Sequence, residues 1–237
     1  WSNTMTAYIF DVDGTLTPSR AKIRYPFAAW LEHFLTHNEC YIVTGSDREK
    51  TLEQIPPSLY HLFQICYQCS GNDEWSQNRH VSSKPFEPSA ELLEMLESEV
   101  KQSRFYRKHG NHIDIRPGLV NFSIPGRGID IETRAMYKQW DEHKEERKAI
   151  AERLRIAFPE LNITVAGETG IDIQQSSKAQ ILDRGPLLTR SDIIFFGDKC
   201  QPGGNDYELA EAVREAGGTV IEVNDWEDTW NALKQLA

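Results

Sequence analysis

The 237-residue sequence predicts an α/β protein, a parallel-sheet core interrupted by an inserted α+β unit. Three observations carry that reading. Short, almost wholly apolar strands recur between helical stretches, the pattern of a sheet covered on both faces. Two of those strands stop in carboxylates, at Asp11 and Asp198, and a third stops in Thr44-Gly45. Polar groups thus gather at the carboxyl ends of strands, where such sheets bind ligands. Between them, residues 84–176 switch to a hairpin-and-helix pattern of their own. The expected core is therefore discontinuous, formed by residues 1–83 and 177–237.

The first element is Tyr8-Ile9-Phe10, a strand by its aromatic and β-branched residues. It runs into Asp11-Val12-Asp13-Gly14-Thr15-Leu16-Thr17, where Gly14 permits a sharp bend. Strand alternation places Asp11 and Asp13 on the same side. Two like charges so close call for a cation beside them, most simply a hard divalent ion such as Mg²⁺. An ordinary polar strand exit also reads Asp-x-Asp-Gly, so the string gains weight from the apolar strand before it and the hydroxyls after it. Pro26 to Thr36 reads as a helix with Phe27, Trp30, Leu31 and Phe34 on its core face. Glu39 to Val43 is a second apolar strand, and Ser46 or Asp47 then caps a helix reaching Glu53. A hydroxyl and a glycine before a helix N-terminus make a phosphate cradle, although a plain strand-to-helix loop looks the same by itself.

Composition shifts between residues 70 and 88 to Ser, Gly, Asn, Asp, Gln, Lys and Pro, the first expected break. Ser89 to Ser103 has helical periodicity through Leu92, Leu93, Leu96 and Val100. His112 to Arg116 and Leu119 to Ser123 flank Pro117-Gly118 as a hairpin. Met136 to Phe158 reads as one long helix, apolar at Met136, Trp140, Ile150, Leu154 and Phe158, with ion pairs on its solvated face. Strands at Asn162 to Gly167 and Gly170 to Gln174 complete the insertion. Lys178 opens a helix through Ile181 and Leu182, followed by the apolar strand Asp192 to Asp198. A helix over Tyr207 to Ala216, a strand over Thr219 to Val223 and a helix over Trp226 to Leu236 close the pattern.

A formal net charge of −10 argues against broad binding to nucleic acid or to anionic membranes, and any anion site must gather its own cations. With no apolar run long enough to span a bilayer and no signal-peptide pattern, the expected location is the cytoplasm. Cys66-Tyr-Gln-Cys69 has redox or zinc spacing, but no second pair follows, and two thiols on a strand is the simpler reading. His33 with His37, and His109 with His112, lack a further ligand for zinc.

The other informative stretch begins at Phe195-Phe196-Gly197-Asp198, a buried strand that ends in a carboxylate. Pro202-Gly203-Gly204 then turns the chain so that Asn205 and Asp206 approach the same point. Asp11 and Asp198, with the main-chain carbonyl of Asp13, would begin an octahedral Mg²⁺ shell. Capping of the next helix by Asp206 is the bland alternative. A carboxylate such as Asp11 is ionised at neutral pH, so as a nucleophile toward a phosphoryl group it needs a cation and no activating base.

The Asp11 motif resembles the first motif of the haloacid dehalogenase superfamily. More narrowly, three strings resemble the eukaryotic-type phosphomannomutases: Phe10-Asp-Val-Asp-Gly-Thr-Leu-Thr-Pro18 with Arg20, Phe196-Gly-Asp-Lys-x-x-Pro-Gly-Gly-Asn-Asp206, and Arg116-x-Gly-Leu-Val-Asn-Phe-Ser-x-x-Gly-Arg127 with Arg134. The resemblance implies a Rossmann-like core with a type C2 cap at 84–176 that also joins a homodimer. It implies a Mg²⁺-dependent enzyme of GDP-mannose biosynthesis that interconverts mannose 6-phosphate and mannose 1-phosphate, with hexose 1,6-bisphosphate as activator. Its partner is then a small hexose phosphate, not nucleic acid or membrane. Asp11 would be the nucleophile, Asp13 the general acid/base, and Lys178 the counter-charge to the phosphoaspartate. Asp198, with Asn205 or Asp206, would anchor Mg²⁺. Thr44 and Gly45 would bind the reacting phosphate and Arg20 the substrate near the core. Arg116, Arg127 and Arg134 would hold the distal phosphate, and Asp172 the sugar hydroxyls.

Arginine forks grip phosphate bidentately, and a mutase needs a second phosphate site where a phosphatase needs one. Two departures fall in the sugar-recognition region. Gly170 stands where the family has serine, and Gln174-Gln-Ser-Ser177 replaces a longer Phe-Pro-x-Gly-Trp-Asp. They keep a sugar-phosphate phosphatase with the same nucleophile as the alternative. A membrane pump would need a span and usually has threonine in place of Asp13, and a non-enzymatic binding protein would need a broken motif.

Overall fold

The computed structural model describes residues 6–236. Contacts divide the chain into two compact units, with boundaries between Ser83 and Lys84 and between Ser176 and Ser177. In the first unit, strands β1 (Ala7–Phe10), β2 (Glu39–Val43), β3 (Ile65–Gln68), β10 (Ile193–Gly197) and β11 (Thr219–Glu222) pair in parallel, in the order β11-β10-β1-β2-β3. The order reverses at β1, whose neighbours are β2 on one side and β10 on the other. Phe10 pairs with Ile42 and with Phe196, so the three chains leave the sheet level with one another. That register sets Asp11, Thr44 and Asp198 along one edge.

Strand alternation sorts the core into two layers. Tyr8, Phe10, Ile42 and Phe196 face α1 (Tyr25–His37) and α8 (Trp226–Leu236), packing on Phe27, Leu31, Phe34 and Leu233. Ala7, Ile9, Tyr41, Val43 and Phe195 face the other way, onto Leu209, Ala210 and Val213 of α7 (Tyr207–Glu215) and onto Ile181. Burying a side chain such as Phe10 or Phe196 is worth about 2–3 kcal/mol each, so both faces must be covered. The expected helix after β2 is α2 (Arg48–Gln54), capped by Asp47, whose carboxylate accepts from the Lys50 amide at 2.9 Å. A four-residue α3 (Pro57–Tyr60) follows. No helix among the described residues is long and apolar enough to cross a membrane.

The second unit is an antiparallel sheet in the order β6-β7-β9-β8, formed by β6 (Asn111–Arg116), β7 (Leu119–Arg127), β8 (Asn162–Ala166) and β9 (Gly170–Gln174). One face carries Val120, Phe122, Ile124, Ile163, Ile171 and Ile173. It packs on Leu92 and Leu96 of α4 (Ala90–Gln102), Tyr137 of α5 (Ile131–Lys144) and Ile150 and Leu154 of α6 (Glu146–Ala157). The other face carries a polar row, since Asn121 pairs with Asp114 on one side and Asp172 on the other, and Asp172 pairs with Thr164.

Two expectations need correction and a third is narrowed. The polar stretch 70–88 does hold the break, after Ser83, but before it lie β4 (Asp73–Ser76) and β5 (Arg79–Ser83), which extend the first sheet antiparallel beyond β3. Edge strands are often rich in charged and polar residues, which makes them read as loop. The long helix is two helices, α5 and α6, because Glu145, which ends the first and begins the second, takes a left-handed conformation (φ 49°). The Asp141 carboxylate accepts from the Arg147 amide at 2.8 Å and from its Nε at 2.7 Å. Lys178 opens not an α-helix but a 3₁₀ turn (Lys178–Asp183), and a second turn (Gly185–Leu187) holds Pro186.

One close approach, between the end of β7 and Gly110, shows how tightly the second unit is built. Gly126 has φ 91°, and a Cβ there would collide with the Gly110 backbone, whereas Gly128, at φ 83°, faces open space. Gly126→Ala is expected to lower unfolding free energy by about 2–4 kcal/mol and Gly128→Ala by only about 1 kcal/mol. Urea denaturation followed by circular dichroism checks this, and equal losses in the two variants would deny the close approach.

Candidate active site

The site is built at the carboxyl ends of β1 and β10. Strand β1 stops at Phe10, so the alternation expected to align Asp11 with Asp13 does not extend to them. The amide of Asp11 still donates to Phe196 O at 3.0 Å, which holds that residue in line with the sheet. Its carboxylate accepts from Lys178 Nζ at 2.7 Å. The same ammonium donates to Asp206 Oδ1 at 2.6 Å. All three groups are buried: Asp11 is 3% exposed, Lys178 2% and Asp206 0%. A lysine ammonium thus stands beside Asp11, and its second carboxylate partner is Asp206 instead of Asp13.

Asp206 sits at the N-cap of α7 but does not cap it with its side chain. Its other oxygen accepts from the Lys199 amide at 3.3 Å. Asp198 lies half-buried beside the pair, and ligand oxygens of Asp11, Asp198 and Asp206 all fall within 4.8 Å of one another. Two glycines make that crowding feasible. A Cβ on Gly14 would lie 2.5 Å from Asp198 Oδ2, and one on Gly197 would lie 2.7 Å from Asp206 Oδ2. Three carboxylates and one ammonium leave an excess of negative charge held on hard oxygen donors, which suits Mg²⁺ and not a soft metal. Asn205 is exposed next to Asp206, and the Asp13 carboxylate is engaged elsewhere.

Electrostatics follow from this packing. Burial, then the Asp206 charge, raises the Asp11 pKa, and Lys178 opposes the shift. Burial works against the Lys178 charge, but Asp11 and Asp206 more than offset it and hold the ammonium protonated. Burial and then Asp206 push the Asp198 carboxyl up to about 6. A carboxyl raised in this way favours the folded state most below the unfolded range near 4, and that contribution is lost as pH rises through 6. A cation placed among the carboxylates would reverse the loss.

Asp13 is held separately. Its Oδ1 accepts from Gln54 Nε2 at 2.8 Å and from the Arg20 amide at 2.6 Å, and Gln54 also reaches Thr17 Oγ1 at 3.1 Å. Gln54 carries no local signal in the sequence: only the fold brings the end of α2 to the turn after β1. Arg20 itself is exposed, with φ 57°. Thr44 is buried, and its hydroxyl oxygen accepts from the Ser46 amide at 3.1 Å, which leaves the proton free to donate. Gly45 follows it at the same edge.

The remaining expected residues belong to the second unit. Arg116 Nε donates to Asp114 Oδ2 at 2.7 Å, and Arg127 Nη1 donates to the same oxygen. Asp114, which the motif reading passed over, thus gathers two of the three arginines. Burial opposes its charge, and the two guanidiniums more than offset that, so its pKa is lowered. Arg134 lies on α5. Asp172 accepts from Asn121 Nδ2 at 2.6 Å in the polar row. The four cysteines are buried and form no disulfide among the described residues, and burial pushes the Cys66 thiol up to about 12, which agrees with a structural role.

If the three carboxylates are the cation ligands, protons compete with the metal. Titration calorimetry with Mg²⁺ should give weaker binding at about pH 5.5 than at about pH 8, with proton release that grows as pH falls toward 6. Equal affinity at both would remove Asp198 from the ligand set.

Comparison with known proteins agrees with the motifs. A family model described as eukaryotic phosphomannomutase matches residues 27–237. The phosphomannomutase of Saccharomyces cerevisiae is 28% identical over 232 residues, covering 93% of this chain and 91% of that protein. Phosphomannomutase 1 of Homo sapiens is 29% identical, covering 92% and 87%. Among solved structures, N-terminally truncated Plasmodium falciparum IMP-nucleotidase superposes with a TM-score of 0.67 at 15% identity, over 98% of this chain and 70% of that one. A haloacid dehalogenase-like hydrolase from Bacteroides thetaiotaomicron gives 0.62 at 13% identity, over 99% and 100%. At such identities the structures speak for the fold alone, and the fold is the Rossmann-like haloacid dehalogenase type.

Proposed function

The chain belongs to the eukaryotic phosphomannomutase family, and from that premise we propose that it interconverts mannose 6-phosphate and mannose 1-phosphate through an aspartyl-phosphate. The observation that carries the reading is the buried Lys178 ammonium shared between Asp11 and Asp206, a nucleophile already paired with a fixed counter-charge. Asp11 attacks the phosphoryl group of a hexose 1,6-bisphosphate, and Lys178 offsets the charge that the phosphoaspartate adds. Asp13 protonates the departing sugar oxygen and later takes the proton of the accepting hydroxyl. Its Oδ1 is engaged by Gln54 and the Arg20 amide, which leaves Oδ2 for that work. Thr44 donates its hydroxyl to the reacting phosphate, beside Gly45, and Arg20 contacts the substrate. Mg²⁺, held by Asp11, Asp198 and Asp206, would neutralise charge on the transferring phosphoryl oxygens.

Arg116, Arg127 and Arg134 receive the distal phosphate, and Asp172 the sugar hydroxyls. Asp114 supports this part of the reading by drawing two guanidiniums to one point. The same reading makes the protein a cytoplasmic homodimer joined through residues 84–176, where the exposed Tyr106 and Ile131 supply apolar surface. A sugar-phosphate phosphatase is the second reading. It is favoured by Gly170, whose Cβ would meet Asn121 Nδ2 at 2.8 Å and so has no room for the family's serine as packed.

A coupled assay with mannose 1-phosphate, run with and without a trace of hexose 1,6-bisphosphate, separates the two. The mutase reading expects bisphosphate-dependent isomerisation, while free phosphate release without isomerisation would reject it. Asp11→Asn should cut turnover by about four orders of magnitude or more while the protein stays folded. Arg127→Ala should raise KM for the monophosphate about tenfold or more with a smaller change in kcat.

A further inference from the structure

The segment after β3 has no part in the chemistry proposed above, yet it is the most constrained backbone near the site. Cys69, Ser70 and Gly71 have φ of 49°, 58° and 89°, three left-handed residues in succession of which only the last is glycine. Such a run persists only where its surroundings over-determine it. Here they do so from two directions. The amide of Cys69 donates to Ser46 O at 2.9 Å and that of Ser70 to Thr44 O at 2.8 Å, so the amides bind the Thr44 loop. The carbonyls bind the opposite neighbour. Ser70 O accepts from Gln180 Nε2 at 2.7 Å, Gly71 O accepts from the Arg184 guanidinium, and Arg184 Nη1 pairs with Glu74 Oε1 at 2.9 Å. Gln180 also reaches Asn72 Oδ1 at 3.3 Å. Gly71 leaves no slack, since a Cβ there would lie 2.8 Å from Ile181 and 3.0 Å from Arg184.

Gln180 lies within the short turn that begins with Lys178, and Arg184 follows directly after its end. A 3₁₀ turn of six residues has poor internal hydrogen bonding and does not hold itself in place. Its N-terminus has one side-chain cap, from Ser177 to the Ala179 amide at 3.3 Å. The ammonium must nevertheless sit between two buried carboxylates, at 2.7 and 2.6 Å. We infer that Gln180 and Arg184 are positioning residues for Lys178: they fasten its turn to the left-handed strap and so set Nζ between Asp11 and Asp206. The strap then ties the phosphate-binding Thr44 loop and the charge-balancing lysine into one rigid frame. The inference rests on the reading that Lys178 offsets charge at Asp11, and it adds residues that the motifs do not contain.

The test pairs kinetics with a direct view of the lysine. Gln180→Leu should lower kcat by about tenfold to a hundredfold with KM for the hexose phosphate changed less than about twofold. In a Lys178→Met background it should have no further effect, because there is no ammonium left to position. Unchanged kcat, or the same fractional loss in both backgrounds, would overturn the inference. In ¹⁵N-lysine-labelled protein, the Lys178 Nζ resonance, identified by its loss in Lys178→Met, should shift in Gln180→Leu, and an unchanged resonance would equally overturn it. Gln180→Glu, the same shape without the amide donor, takes the place of the leucine variant if that one does not fold. Failure of the mutase reading would appear instead in the unaltered protein, as absent isomerisation, while the resonance reports lysine position whatever reaction the site performs.

Discussion

An ammonium removed from water and placed 2.7 Å from one carboxylate and 2.6 Å from another is the constraint on which the core depends. Burying charges carries a penalty of several kcal/mol per ion, and a well-packed apolar substitute is often as stable or more so. The triplet therefore makes little sense as a stabilising device and good sense as stored electrostatic preorganisation. Much of the surrounding architecture can be read as the means of keeping it. Parallel pairing of β1 with β10 sets the separation of Asp11 from Asp198, and Gly14 and Gly197 admit carboxylates where any side chain would exclude them.

The second unit solves a different problem. Its sheet commits one face to a conventional core and leaves the other to polar groups, so that Asp114, Asn121, Asp172 and Thr164 stand in one cross-strand row. Here charge is collected, not buried. Asp114 accepts from two arginines on adjacent strands while both keep donors unused, since a guanidinium has five N–H groups. The two units thus hold cations in opposite states, one enclosed between carboxylates, the other partly exposed with donors to spare.

Most of the fold was legible because its signals are local. Apolar strands, helix periodicity, the Asp47 cap and the Pro117-Gly118 hairpin all follow from neighbours in sequence, and the motifs singled out Asp11, Thr44 and Asp198, which the register does bring to one edge of the sheet, with Lys178 against Asp11. What escaped depends on partners that no local pattern announces, some of them far along the chain. The left-handed Glu145 is set by where Asp141 and Arg147 meet, and β4 and β5 look like loop until β3 is there to pair with them. The 3₁₀ turn at Lys178 is shaped by carbonyls more than a hundred residues earlier. Asp11 and Asp13 were expected to lie on one side of a strand, but β1 ends at Phe10, before either of them, and Gln54 claims the second carboxylate.

The pairing of β1 with both β2 and β10 also bears on how the molecule comes into being. Ala7 meets Glu39 early in the chain but must wait for Ile193 on its other edge, with the whole second unit intervening. Contacts so distant in sequence slow folding, and an unpaired apolar strand edge invites wrong partners while it waits. The second unit is contiguous and closes its sheet with nearby strands, so it suits early, independent assembly on the ribosome. Asp11, at the end of β1, therefore lacks Lys178, the carboxylates of Asp198 and Asp206 and one sheet neighbour until translation has passed Asp206.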